Sequence, residues 1–182
     1  MAITQISVFL ENRAGQLSEI TKILSDNNID LKALNIAETA DYGILRIISD
    51  DCNEAAKLLR NNGFIVTQTP VVAAAVPNKA GGLNELLNII SNEDIDIEYM
   101  YSVFGQKDGL AYMIFKVKDV DIFTSVLKKY FVVVATGDDL GIIDFFELTE
   151  YYLYAVKLKT SLSPLISRGG GPFAVKQINA FK

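Results

Sequence analysis

Asn12-Arg13-Ala14-Gly15-Gln16-Leu17 recurs as Asn78-Lys79-Ala80-Gly81-Gly82-Leu83, 66 residues later. Ile29-Asp30-Leu31 returns as Ile95-Asp96-Ile97 at the same spacing, and Leu59 returns as Leu127 at a spacing of 68. The added residues fit a hairpin around Gly105-Gln106-Lys107-Asp108-Gly109, where a loop tolerates insertion. Matched motifs at matched offsets mark a duplicated unit, and each copy must then form the same element order.

Working outward from the motif, the periodicities alternate. Ile3 to Phe9 carries β-formers in rough alternation and predicts a strand. Leu17, Ile20, Ile23 and Leu24 recur at helical spacing up to Asn27-Asn28. Leu31 to Ala37 and Gly43 to Ile48 predict two further strands joined by a turn near Asp41. Asp50-Asp51 is placed to cap a helix bearing Ala55, Ala56, Leu58 and Leu59, because Asp accepts bonds from the free N–H groups of a first turn. Gly63 ends that helix, and Phe64-Ile65-Val66 predicts strand four. The second copy follows suit. Its strands are Val71 to Val76, Ile97 to Val103, Leu110 to Val117 and Phe131 to Ala135. Its helices carry Leu83, Leu86, Leu87 and Ile90, then Phe123, Val126, Leu127 and Tyr130. The expected fold is α+β: two tandem ferredoxin-like βαββαβ units, antiparallel sheets with helices on one face. The expected divisions are 1–69, 70–140 and a C-terminal extension, 141–182, partly helical or flexible. Thr69-Pro70 joins the copies without a flexible linker, so the sheets should lie close together.

Composition narrows the chemistry. The chain has 182 residues, half of them hydrophobic, and a net charge of −5. With no His anywhere, His-dependent triads, His proton shuttles and the commonest transition-metal sites are excluded. Cys52 is the only cysteine, so no intrachain disulfide forms, which fits a reducing cytoplasm. The acidic balance argues against general nucleic-acid binding, which needs clustered Lys and Arg. No apolar run approaches the ~18 residues of a membrane span, and Met1-Ala2-Ile3-Thr4-Gln5 does not read as a signal peptide. No carboxylate, Lys, Ser or Tyr group forms a convergent catalytic set, so no enzyme, no cofactor and no metal are expected.

The turn ending in Gly-x-Leu between strand and helix, twice, inside βαββαβ, resembles the ACT domain over roughly residues 3 to 140. The arrangement is most similar to stand-alone tandem ACT proteins. The family turn commonly reads Asp-Arg-Pro-Gly-x-Leu; both copies here have Asn for Asp and Ala for Pro. The resemblance implies binding of an amino acid or similar small metabolite, regulation rather than catalysis, and a homodimer. It also implies ligand contacts from Asn12, Ala14, Gly15, Gln16 and Leu17 in the first turn and Asn78, Ala80, Gly81, Gly82 and Leu83 in the second. From the second strands it implies Asn35, Met100 and Tyr101, within Leu34-Asn35-Ile36-Ala37 and Tyr99-Met100-Tyr101-Ser102.

The physical basis is a helix start. Its first N–H groups lack partners inside the helix and carry partial positive charge, so a carboxylate is held there by main-chain donors. The plainer reading is that Asn and Gly simply make a good turn, and that Tyr and Met are ordinary sheet residues. The same topology serves RNA-recognition domains, which stack bases on strand aromatics. Tyr112 and Phe115 suit that role, but Ile44, Leu45, Ile47 and Ile48 in the first copy do not. Paired cysteines of copper chaperones are absent, and Arg13, an acylphosphatase-like anion clamp, becomes Lys79 in the second copy. The alternative function is a ligand-free interaction module, similar to tandem-ACT repressors of glycine cleavage. The tail differs from the repeats: Tyr151 to Lys182 has five basic residues and no acidic ones, leaving −10 on the rest.

Overall fold

The computed structural model describes residues 2–11, 13–38, 42–107 and 109–135. The extension 141–182 and Asn12 lie outside them. The first unit comprises β1 (Ile3–Glu11), α1 (Gln16–Asp26), β2 (Leu31–Glu38), β3 (Tyr42–Ser49) and α2 (Cys52–Asn61). A long β4 (Val66–Pro77) follows, then α3 (Gly82–Asn92), β5 (Ile97–Lys107), β6 (Leu110–Val117), α4 (Val120–Lys129) and a short β7 (Val134–Ala135). The fold is α+β, two tandem ferredoxin-like units with antiparallel pairing.

Each unit buries one sheet face under its helices. Ile6, Val8, Leu10, Leu45 and Ile47 meet Ile20 and Leu24 of α1 and Ala55, Ala56 and Leu59 of α2. Val72, Ala74, Val76, Phe115 and Val117 meet Leu86, Ile90, Phe123 and Leu127. Phe115 and Phe123 pack edge to face with centroids 5.5 Å apart. Burying each such Leu, Ile or Phe side chain contributes about 1.5–3 kcal/mol, so these stripes hold the helices down. The capping Asp is where the sequence puts it: Asp51 Oδ1 accepts from the N–H groups of Asn53 and Glu54 at 3.1 and 2.9 Å. Asp119 does the same for α4, accepting from Asp121 and Ile122 at 3.0 and 2.9 Å.

Two elements differ from the sequence reading. Strand four and the first strand of the second copy are one strand, β4, so the Thr69-Pro70 joint lies inside it. Residues Val66 to Val71 of β4 pair with β1, and Val72 to Pro77 pair with β6. Proline lacks an N–H, and Pro70 sits in the half with a neighbour on one side only, where that loss is tolerated. The last strand is shorter than expected, because Phe131 takes a left-handed φ of 57° to end α4. Gly63 has the matching role after α2, at φ 85°.

The strand path runs β2-β3-β1-β4-β6-β5, with β7 on β4. It folds over so that β2 and β5, its two ends, approach one another. The face without helices thereby becomes an interior shared by the repeats. Ile3, Ala33 and Ile48 of the first unit pack there with Tyr101, Val103, Tyr112 and Ile114 of the second. No helix among the described residues is long and apolar enough to cross a membrane.

Candidate functional site

The first turn is built as its sequence requires. Gly15 adopts φ 89° before α1, and Gly81 adopts φ 86° before α3, a region closed to most side chains. The Arg13 N–H donates to the Glu11 carbonyl at 2.8 Å, and the Lys79 N–H to the Pro77 carbonyl at the same length. Both turns are thus tight and deliver a helix start.

At the first turn lies a hollow of about 230 Å³, lined by Leu10, Glu11, Arg13, Gln16, Leu17, Ile36 and Gly43. Every lining residue belongs to the first repeat. The floor is apolar through Leu10, Leu17 and Ile36, and the rim is charged. Arg13 Nη2 donates to Glu19 Oε2 at 2.8 Å, with Glu11 Oε2 at 3.6 Å from Arg13 Nε, so neighbouring carboxylates already hold the guanidinium. The donors left for an anion placed here are the N–H groups of the first turn of α1, which have no partner within the helix. A larger, more open groove on α4, about 380 Å³, is lined by Asp121, Ile122, Ser125, Val126 and Lys129. Its lysine already donates to Glu93 at 2.6 Å, which leaves it a poorer candidate.

The expected site residues fall into separate places. Gln16 and Leu17 line the hollow; Ala14 and Gly15 stand exposed beside it. In the second turn Ala80 and Gly81 are exposed, while Gly82 is buried and Leu83 packs toward the helix-side core. Asn78 donates its N–H to the Gly109 carbonyl at 2.8 Å, tying this turn to the β5–β6 hairpin. Met100 packs under the helices of the second unit. Tyr101 and Asn35 belong to a polar network between the repeats. Its hub is Gln5, fully buried, whose Nε2 donates to Ser7 Oγ and Tyr99 Oη at 2.9 Å each. The Tyr101 hydroxyl donates to Gln5 Oε1 at 2.9 Å. Arg46 lies 4.0 Å from the centre of the Tyr99 ring and donates to Asn35 Oδ1 at 3.3 Å.

Reading the sequence missed Leu10, Glu11, Arg13, Ile36 and Gly43 of the hollow as site residues, and Gln5, Ser7 and Arg46 of the network. A signal existed for the network. Gln5, Ser7 and Arg46 interrupt strands that are otherwise apolar, on positions that alternate to the face without helices. The network has a measurable consequence. Burial pushes the Tyr101 hydroxyl far above the ordinary tyrosine range; the Tyr99 hydroxyl adds to this, and Arg46 pulls weakly the other way. An unfolded tyrosine ionises near pH 10, so above about that pH the unfolded state sheds a proton that the folded state keeps. Stability is intact below it and is expected to fall above it by about 1.4 kcal/mol per pH unit on account of this group. Urea unfolding between about pH 9 and 11 measures the slope, and Tyr101→Phe should make it shallower by one proton. An unchanged slope would mean that Tyr101 titrates freely in the folded protein.

The family model described as ACT domain pair matches residues 1–140. The crystal structure of protein BT0572 from Bacteroides thetaiotaomicron is 40% identical, with a TM-score of 0.73 over 79% of this chain and 98% of that one. The regulatory subunit of aspartate kinase from Thermus thermophilus, in a ligand-free form, is 11% identical. It aligns with a TM-score of 0.53 over 69% of this chain and 91% of its own, which is a likeness of fold. None of the curated proteins matches the chain. A duplicated strand-turn-helix with a left-handed glycine in each turn, a matched family model and a 40% identical structure agree: the chain belongs to the ACT domain pair family.

Proposed function

We propose that this protein is a cytoplasmic amino-acid sensor that binds its ligand at the first strand-to-helix turn and leaves it chemically unchanged. The observation that carries this is the hollow beside Gly15, which joins an apolar floor to the open N-terminus of an eleven-residue helix. At about 230 Å³ it lies below the range of drug-sized sites and suits a metabolite the size of an amino acid. The helix start favours the carboxylate, and Glu11 on the rim favours an ammonium group nearby. Regulation then follows from a change in the protein's contacts when the hollow fills. We propose further that the chain acts as a homodimer. Leu17 and Ile36, at 36% and 47% exposure, carry the apolar floor out to the surface, where a second copy would cover it.

The test is a thermal-shift screen of the full chain over the standard amino acids. A ligand that binds only the native state stabilises it by about 2.7 kcal/mol at a hundredfold excess over Kd, which raises Tm by several degrees. One or a few amino acids should do this and be recovered intact. A flat response favours the ligand-free interaction module, and turnover of any of them would overturn the non-enzymatic reading.

A further inference from the structure

The two turns share a sequence pattern but differ in the space beneath them. In the second, a Cβ on Gly82 would overlap the Pro77 carbonyl oxygen, so main chain closes the gap under the helix start. The Gly82 N–H is also occupied, donating to the Lys79 carbonyl at 3.0 Å. In the first, the residue 66 positions earlier is Gln16, whose side chain lines the hollow. No bond from the Gln16 N–H to the Arg13 carbonyl is present among the described residues.

Gln16 is only 7% exposed, yet it lines the hollow. Its Oε1 is buried with no hydrogen-bond partner among the described residues. Leaving a buried acceptor unmatched costs about 1–3 kcal/mol, and such groups persist where something else completes them. The missing partner must be a donor. Around it, Leu10, Leu17 and Ile36 offer hydrocarbon, and Arg13, the side-chain donor among the other lining residues, is held by Glu11 and Glu19.

Resting on the amino-acid reading above, we infer that the first turn alone is a ligand site, that its ligand is a small aliphatic amino acid, and that Gln16 selects it by accepting from its ammonium group. The ligand's side chain lies on Leu10, Leu17 and Ile36, and its carboxylate meets the α1 N–H groups. The second turn serves as structure.

Isothermal titration of the full chain with L-valine, L-leucine and L-isoleucine, and with the 2-oxo acid of each, tests this. A 2-oxo acid keeps the carboxylate and side chain but has no ammonium. The expected result is one amino acid bound per chain, roughly tenfold or more tighter than its 2-oxo acid, as a bond to a charged donor implies. Gln16→Leu should erase that preference by weakening the amino acid and not the oxo acid. Gln16→Glu, which keeps the size and an acceptor, should retain or sharpen it, and its Tm guards against a folding defect in the leucine variant. Two ligands per chain, a preference unchanged in Gln16→Leu, or binding only of polar amino acids would overturn this inference and leave the amino-acid reading standing. Silence towards every standard amino acid would bring down both.

Discussion

The substitution Gly82→Gln is expected to destabilise the protein by about 3 kcal/mol, while Gln16→Gly at the equivalent place in the first repeat should cost only about 1 kcal/mol. The difference comes from what lies under each helix start. At position 82 the collision begins at the Cβ and is with a carbonyl oxygen of the main chain, which no rotamer change relieves. Relief requires β4 and α3 to separate at Pro77, where the strand is pinned to β6 through the Pro77 and Leu110 pair. Gly82→Ala should therefore lose most of the same stability. At position 16 the loss is of a partly unsatisfied side chain, and the cost is chiefly the extra backbone freedom of glycine in the unfolded chain. Urea denaturation of the parent and the three variants gives the comparison directly. Equal losses at positions 16 and 82 would show that the two turns are alike in shape.

That asymmetry also marks the limit of what could be read in the sequence. The repeat was legible because two periodicities alternate in the same order around a glycine turn, and the Asp51 cap and the glycine of each turn follow from local chemistry alone. The helix faces were legible only in part. A stripe drawn through Leu17, Ile20, Ile23 and Leu24 buries Ile20 and Leu24, but Leu17 turns to the hollow and Gln16 takes its place inside. Periodicity assigns polar residues to the outside, and Gln16 breaks that rule at the candidate site. The single strand β4 was hidden by Pro70, which reads as a break unless one knows that its outer edge is unpaired. The approach of β2 to β5 had no local signal, since it depends on how far a twisted sheet closes on itself. For that reason Asn35 and Tyr101, expected as ligand contacts, join the network between the repeats and are not among the residues lining the hollow. Ile36, next to Asn35 in the same strand, reaches the hollow because successive side chains point to opposite faces.

The interior between the repeats leads to the second large effect. Gln5→Leu is expected to lower stability by about 3 kcal/mol, though leucine is of similar size and suits a buried strand position. Gln5 has no exposed surface, and its amide satisfies two donor or acceptor groups on β5 and one on its own strand. Leucine would leave the Tyr101 hydroxyl, itself buried, without its acceptor, and would take from Tyr99 and Ser7 the donor they share. Each buried group so stranded costs about 1–3 kcal/mol, and the half-buried Tyr99 recovers part of its share from water. The decisive comparison is with Tyr101→Phe and the double variant. Removing both partners leaves no stranded hydroxyl on Tyr101, so Gln5→Leu with Tyr101→Phe should be more stable than the sum of the single losses by about 1 kcal/mol or more. Urea denaturation of the four proteins closes the cycle. Additive losses would mean that Gln5 and Tyr101 do not act on each other across the repeats, and that packing of Ile3, Ala33 and Ile48 against the second unit holds the interior by itself.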